Sequence, residues 1–160
     1  MKLYFGYGSN LCLKRFQARV PSAVVQCLAE LAHHQMVFCK RSIDGSGKAT
    51  IAGKKDATVW GALFTYADQH HGDLKKAEAG YSERVVSVAT ADGTRKALTF
   101  VCEPDKLDAS LVPFDWYVDL IRHGGLSLGL PPEYFVQFEA VPTKIDLDTA
   151  RVAKERAYLK

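Results

Sequence analysis

The chain has 160 residues, 48% of them apolar, which suits one globular domain with a proper core. Its formal net charge of +3 and its scattered lysines and arginines argue against a nucleic-acid surface. Arg41, Lys48, Lys54 and Lys55 come nearest to a basic cluster, and their Gly/Ser/Asp-rich surroundings predict a solvated loop.

No window approaches the roughly 18 apolar residues of a membrane span. The first residues read as an aromatic strand with no long apolar stretch behind it, unlike a signal peptide. Cys12, Cys27, Cys39 and Cys102 stand far apart in apolar patterns, which predicts buried thiols in a reducing compartment rather than a disulfide scaffold. The expectation is a soluble, cytoplasmic protein with neither a nucleic-acid nor a membrane partner.

In chain order, Lys2 to Tyr7 reads as a strand with alternating aromatics, broken by Gly8-Ser9-Asn10. Leu13, Phe16 and Val20 then stand at helical spacing until Pro21. A strand entering a glycine turn and then a helix start gathers free N–H groups that suit an anion or a developing oxyanion. Cys27 to Leu31 and Gln35 to Cys39 read as strand pieces around His33-His34. Arg41 to Lys48 reads as a loop, and Ala49 to Ile51 and Ala57 to Tyr66 as strands.

Asp68 to Ala79 is a short polar helix. Arg84 to Thr90 and Lys96 to Cys102 form a hairpin around the Asp-Gly of Ala91-Asp92-Gly93-Thr94. Pro113 opens a helix with Phe114, Tyr117, Val118 and Ile121 on one face and Gly124 as C-cap, and His123 is read as helping to cap that end. Pro131-Pro132 open another helix, with Phe135 and Phe138 on one face, and the tail from Asp148 is compatible with a charged helix. Many strands with few helices, not in βαβ alternation, predict an α+β domain around a mixed, curled or barrel-like sheet flanked by short helices.

Several chemical candidates fail on spacing. Asp44-Gly45-Ser46-Gly47-Lys48 lacks both the earlier glycine and the following Ser or Thr of a phosphate loop. His33-His34 and His70-His71 are adjacent pairs, so neither can present two rings on one side as a metal-binding i, i+4 pair does. No metal and no cofactor are expected. Glu78 is different, because it stands at the end of a short helix just before the hairpin. A carboxylate there can point into a sheet cavity, where partial burial raises its pKa toward the range useful for proton transfer; the plain alternative is an exposed helix-end glutamate.

Tyr7-Gly8-Ser9-Asn10-Leu11, Ala49-Thr50-Ile51 followed by Val59-Trp60-Gly61, Leu74-Lys75-Lys76-Ala77-Glu78 and Gly129-Leu130-Pro131-Pro132-Glu133-Tyr134 occur in that order. In this the chain resembles the γ-glutamylcyclotransferase family nearly end to end: the YGSN-L signature, an ATI…VWG pattern, a leucine-led helix ending in the catalytic glutamate, and a GLPxEY segment. The resemblance implies a domain over 1–142 with a C-terminal helical extension over 143–160, as monomer or homodimer. It implies a cyclising lyase that releases 5-oxoproline from a small-molecule γ-glutamyl substrate, with Glu78 moving the proton. Tyr4, Phe5, Gly6, Tyr7, Gly8, Ser9 and Asn10 are then expected to bind the glutamyl unit, with Tyr81 and Tyr117 as further pocket residues.

Two departures from the family pattern stand out. Glu78-Ala79-Gly80-Tyr81 has Ala for a glycine and a shorter path to the tyrosine, and Phe100 stands where close relatives place a second tyrosine. Other readings remain open at this point: a γ-glutamylamine substrate, a non-catalytic binding or interaction domain of the same fold, or a hydrolase that releases glutamate.

Overall fold

A computed structural model describes all 160 residues. Five strands, β1 (Lys2–Gly6), β2 (Val24–Arg41), β3 (Gly47–Tyr66), β4 (Ser82–Thr90) and β5 (Gly93–Val101), close a barrel in the order β1-β3-β2-β4-β5. The neighbours are antiparallel except β1 and β5, whose parallel pairing of Tyr4 with Leu98 closes the barrel, so the sheet is mixed as expected. Helices α1 (Leu13–Arg19), α2 (His71–Ala77), α3 (Asp115–Leu128) and α4 (Thr149–Arg156) flank it, with a 3-10 turn at Ser9–Leu11. No helix is long and apolar enough to cross a membrane.

The strand pieces expected around His33-His34 are one continuous strand, and the two expected on its partner are likewise one. The signal was lost at a bulge. Ala32 pairs Thr58 and His34 pairs Gly53, so Lys54 to Ala57 are extruded opposite His33. The extra residues are absorbed by left-handed backbone at His33 (φ 58°) and Asp56 (φ 61°), where short polar residues are tolerated best. Lys54 and Lys55 are exposed as expected but lie within β3, not in a loop.

Lys48 is not solvated. Its side chain is only 13% exposed, with Nζ 4.5 Å from the Tyr117 ring centroid, 4.7 Å from that of Trp116 and 3.2 Å from Asp44 Oδ2. Burial lowers its ammonium to about 8, against the pull of Asp44. Burial also pushes the Asp44 carboxyl up, but the Ser46 hydroxyl and N–H, together with Lys48, outweigh it and hold Asp44 at about 2.

Gly124 does not cap α3. It lies inside the helix, where a Cβ would come within 2.3 Å of the Cys12 nitrogen, so its missing side chain lets α3 lie directly on the Ser9–Leu11 turn. The helix ends instead at Gly129, whose φ of 92° gives the left-handed cap, and its N–H donates to the Leu126 carbonyl. His123 is therefore an exposed residue within the helix and caps nothing. Pro132–Phe138 is a 3-10 segment rather than an α-helix, with Phe135 and Phe138 buried as the spacing predicts.

The tail packs back onto the domain. Trp116 donates to Asp146, Arg151 pairs with the same carboxylate, and Asp148 caps α4 by accepting from the Arg151 N–H. Cys12 and Cys102 are buried, Cys27 and Cys39 half-buried, and all four are free thiols.

Candidate active site

One bulge in the β2–β3 ladder organises the site. Val37 pairs Thr50 and Lys40 pairs Lys48, so Phe38 and Cys39 together face the single residue Ala49. This irregularity turns the peptide groups of Ala49 away from regular pairing and toward two tyrosines. The Ala49 N–H donates to the Tyr117 hydroxyl (3.1 Å), and the Tyr81 hydroxyl donates to the Ala49 carbonyl (2.7 Å). Two rings from distant elements, α3 and the turn before β4, are thereby fixed to one wall of a cleft.

Glu78 closes the opposite side. It is the C-cap of α2, its N–H bonded to the Leu74 carbonyl, and its side chain turns inward. Asn10 Nδ2 donates to Glu78 Oε1 at 2.7 Å and to the Tyr4 hydroxyl at 3.1 Å, so one amide ties the acid to the first strand. Burial raises the Glu78 carboxyl above its ordinary value, while the Asn10 amide and the charges of Arg19, Arg15 and Lys40 pull the other way. Burial, and behind it the Glu78 charge, pushes the Tyr4 and Tyr7 hydroxyls well up, so both keep their protons.

The third component is the turn after β1. The Leu11 and Cys12 N–H groups close it onto the Gly8 and Ser9 carbonyls, whereas the N–H groups of Gly8, Ser9 and Asn10 donate to no acceptor within the protein. Arg15 braces it from beneath, donating from its terminal nitrogen to Ser9 Oγ (2.8 Å) and from Nε to Glu155 (2.7 Å). That ion pair is almost wholly buried, at 6% and 12% side-chain exposure.

Tyr4, Tyr7, Gly8, Ser9, Asn10, Ala49, Glu78, Tyr81, Phe100 and Tyr117 line the resulting cleft of about 30 Å³. That is room for one or two waters. The flank of the barrel carries larger grooves of about 350 and 570 Å³; the first has no carboxylate, and the second has only Glu103, whose carboxyl Ser82 and Arg84 hold below its ordinary value.

Of the residues singled out from sequence, Glu78, Tyr4, Tyr7, Gly8, Ser9, Asn10, Tyr81 and Tyr117 meet in this cleft. Phe5 and Gly6 do not. Strand alternation sends the Phe5 ring into the core at 0% exposure, and the space beside Gly6 is filled by the Phe64 and Tyr4 rings. Gly6 is registered with Ala62 in the β1–β3 ladder and the Phe5 carbonyl accepts from the Thr99 hydroxyl (2.9 Å), whereas the unpaired donors lie in the turn that follows.

A curated mouse γ-glutamylcyclotransferase is 30% identical over 146 residues, covering 87% of this chain and 78% of that protein. The chain belongs to the γ-glutamylcyclotransferase family. A bovine γ-glutamylcyclotransferase is also 30% identical, covering 82% of this chain and 74% of its own length. A solved γ-glutamyl cyclotransferase superposes with a TM-score of 0.83 at 27% identity, across 96% of this chain and 98% of that one. No family profile matches the chain.

Three contributors to this cleft escaped the sequence reading. Arg15 sits on a helix judged only by its apolar face, and a buried arginine leaves no periodic trace. Ala49 acts through its peptide groups, which side-chain identity cannot reveal. Lys40 reaches the Glu78 turn from β2. All three depend on which residues the barrel closure brings together.

Proposed function

We propose that the protein cyclises γ-glutamyl amino acids or γ-glutamyl amides to 5-oxoproline with release of the free amine. The substrate's α-amine nitrogen attacks its own γ-carbonyl carbon, forming the ring C–N bond as the carbonyl electron pair moves onto oxygen. Glu78 takes a proton from the attacking amine. Collapse of the oxyanion breaks the bond to the leaving nitrogen, which receives that proton from Glu78. No covalent enzyme intermediate is needed, so a site without an activated serine or cysteine is sufficient.

The observation that carries this reading is the placement of one raised carboxylate, Glu78, across a small cleft from the unpaired N–H groups of Gly8, Ser9 and Asn10. A pKa above the ordinary carboxylate range suits a group that must act as base and then as acid. Donors already in place for the developing oxyanion need no reorganisation during reaction.

The tyrosines divide by proton. Tyr7 and Tyr81 give theirs to the Phe100 and Ala49 carbonyls, whereas Tyr4 and Tyr117 accept from Asn10 and Ala49 and each keep a proton to offer the substrate. The rim must yield to admit a glutamyl group, because the closed cleft has room for little more than solvent. Phe100 leaves an apolar contact on the wall.

The test is a panel of γ-glutamyl amino acids, amides and amines incubated with the protein, with products resolved by mass spectrometry. Release of 5-oxoproline with stoichiometric free amine is expected. Free glutamate instead would identify a hydrolase. Thermal stabilisation by many glutamyl compounds without turnover would identify a binding domain of the same fold.

A further inference from the structure

The turn that carries Glu78 and Tyr81 is held by a residue outside the cleft. We propose that Lys40 is a positioning residue for this site, its ammonium clamping the Glu78–Tyr81 turn so that the carboxylate and the Tyr81 ring keep their places.

Glu78-Ala79-Gly80-Tyr81 is a β-turn closed by the Tyr81 N–H on the Glu78 carbonyl at 3.1 Å. Its third residue, Gly80, has φ 85°, which a type II turn demands and glycine supplies without strain. Type I and type II turns differ mainly in the orientation of the central peptide. The orientation of that peptide, carbonyl on one side and Gly80 N–H on the other, is therefore what distinguishes this turn.

Lys40 Nζ donates to the Ala79 carbonyl, the oxygen of that central peptide, at 2.9 Å. Flipping the peptide would break this bond. The same ammonium lies 4.7 Å from the centroid of the Tyr81 ring, within cation–π range. A Cβ on Gly80 would come within 3.1 Å of it, so the contact is close on a second side. Lys40 is itself placed by the bulge opposite Ala49, where the Tyr81 hydroxyl ends. Tyr81 is thus gripped at its hydroxyl and across its ring, both times from the β2–β3 ladder.

Ala79 and Gly80 are exposed, and no other side chain donates to or accepts from the main chain of 78–80. An ordinary surface lysine would extend into water. This one is half-buried, and burial lowers its ammonium while the Glu78 charge pulls it back up.

The inference rests on the cyclisation reading for its kinetic readout, so its test carries a structural readout as well. Lys40→Met keeps the chain length and loses the charge; Lys40→Arg keeps charge, donor and reach. In ¹⁵N-labelled protein, Lys40→Met should shift or broaden the Gly80 and Tyr81 amide resonances, and Lys40→Arg should restore them. With the substrate the product panel identifies, Lys40→Met should lower kcat by roughly tenfold to a hundredfold with little change in KM. The arginine variant should recover to within a few-fold of wild type.

Unchanged Gly80 and Tyr81 resonances in Lys40→Met would overturn the proposal, whether or not turnover is found. So would a wild-type kcat in that variant, or a kcat loss that arginine does not rescue. Absence of wild-type turnover with every γ-glutamyl compound would defeat the cyclisation reading instead, leaving the resonances to decide the role of Lys40.

Discussion

Two turns face each other across the cleft, and they are held in opposite ways. The Gly8–Leu11 turn is sunk in the protein: Ser9, Asn10 and Leu11 are buried, α3 lies against its backbone, and the Arg15–Glu155 pair supports it. The Glu78–Tyr81 turn stands at the surface, with Ala79 and Gly80 exposed, and is tied by Asn10, Ala49 and Lys40. The contrast fits the proposed division of labour. Donors aimed at a developing charge gain from rigidity, whereas an acid that exchanges protons beside a rim that must open gains from a shallower anchorage.

Substitutions can break this contrast, and the largest effect belongs to the buried turn. Gly124→Val places a side chain against the Leu11 and Cys12 backbone, so a loss of more than about 4 kcal/mol is expected, visible as insoluble protein or a Tm lower by roughly 10 °C or more. Gly80→Ala in the exposed turn should cost only about 1–2 kcal/mol, the ordinary left-handed penalty. Equal losses at the two positions would remove the distinction.

Next in size is Glu155→Ala, which strands the Arg15 charge in a buried site. About 3–5 kcal/mol is expected in urea unfolding, and less than 1 kcal/mol would show that the pair does not brace the turn.

Lys48 sharpens the comparison from behind the tyrosine wall. Its ammonium is held at about 8 when folded against 10.5 when free, so between these values the unfolded chain binds a proton that the folded chain has lost. Stability from this group therefore rises with pH across that window, by up to roughly 3 kcal/mol. The pH dependence of unfolding in wild type minus that in Lys48→Met should show the rise, and parallel curves would refute it. The smallest effect concerns Asn10→Ala. Removing the amide that lowers the Glu78 pKa should move the acidic limb of kcat/KM to higher pH; an unmoved limb would separate Asn10 from the acid.

The elements were legible in the sequence because they leave local signs, whereas local pattern left open whether Glu78 turns into a cleft or stands exposed at a helix end. Aromatic alternation marks β1, the Asp-Gly step marks the β4–β5 hairpin, and Gly8-Ser9-Asn10 marks the donor turn. The misreadings arose where tertiary contact overrides local pattern. Gly124 resembles a cap and is a point of backbone contact. Lys48 sits in a loop-like composition but is covered by Trp116 and Tyr117. Phe5 belongs to the Tyr4–Asn10 stretch expected to bind the glutamyl unit, yet its ring faces the core, because alternation along a strand separates neighbouring side chains. The Ala49 bulge, which aligns both wall tyrosines, is a property of register between strands and has no single-residue signature.

The central claim is that Glu78 transfers the proton in a cleft already assembled around it. Glu78→Gln keeps the shape and the hydrogen-bonding reach of the side chain while removing its basicity. With a substrate identified by the product panel, the account expects 5-oxoproline formation to fall by roughly a hundredfold to ten-thousandfold, with ligand binding and Tm close to wild type. Wild-type turnover in a folded Glu78→Gln protein would contradict it.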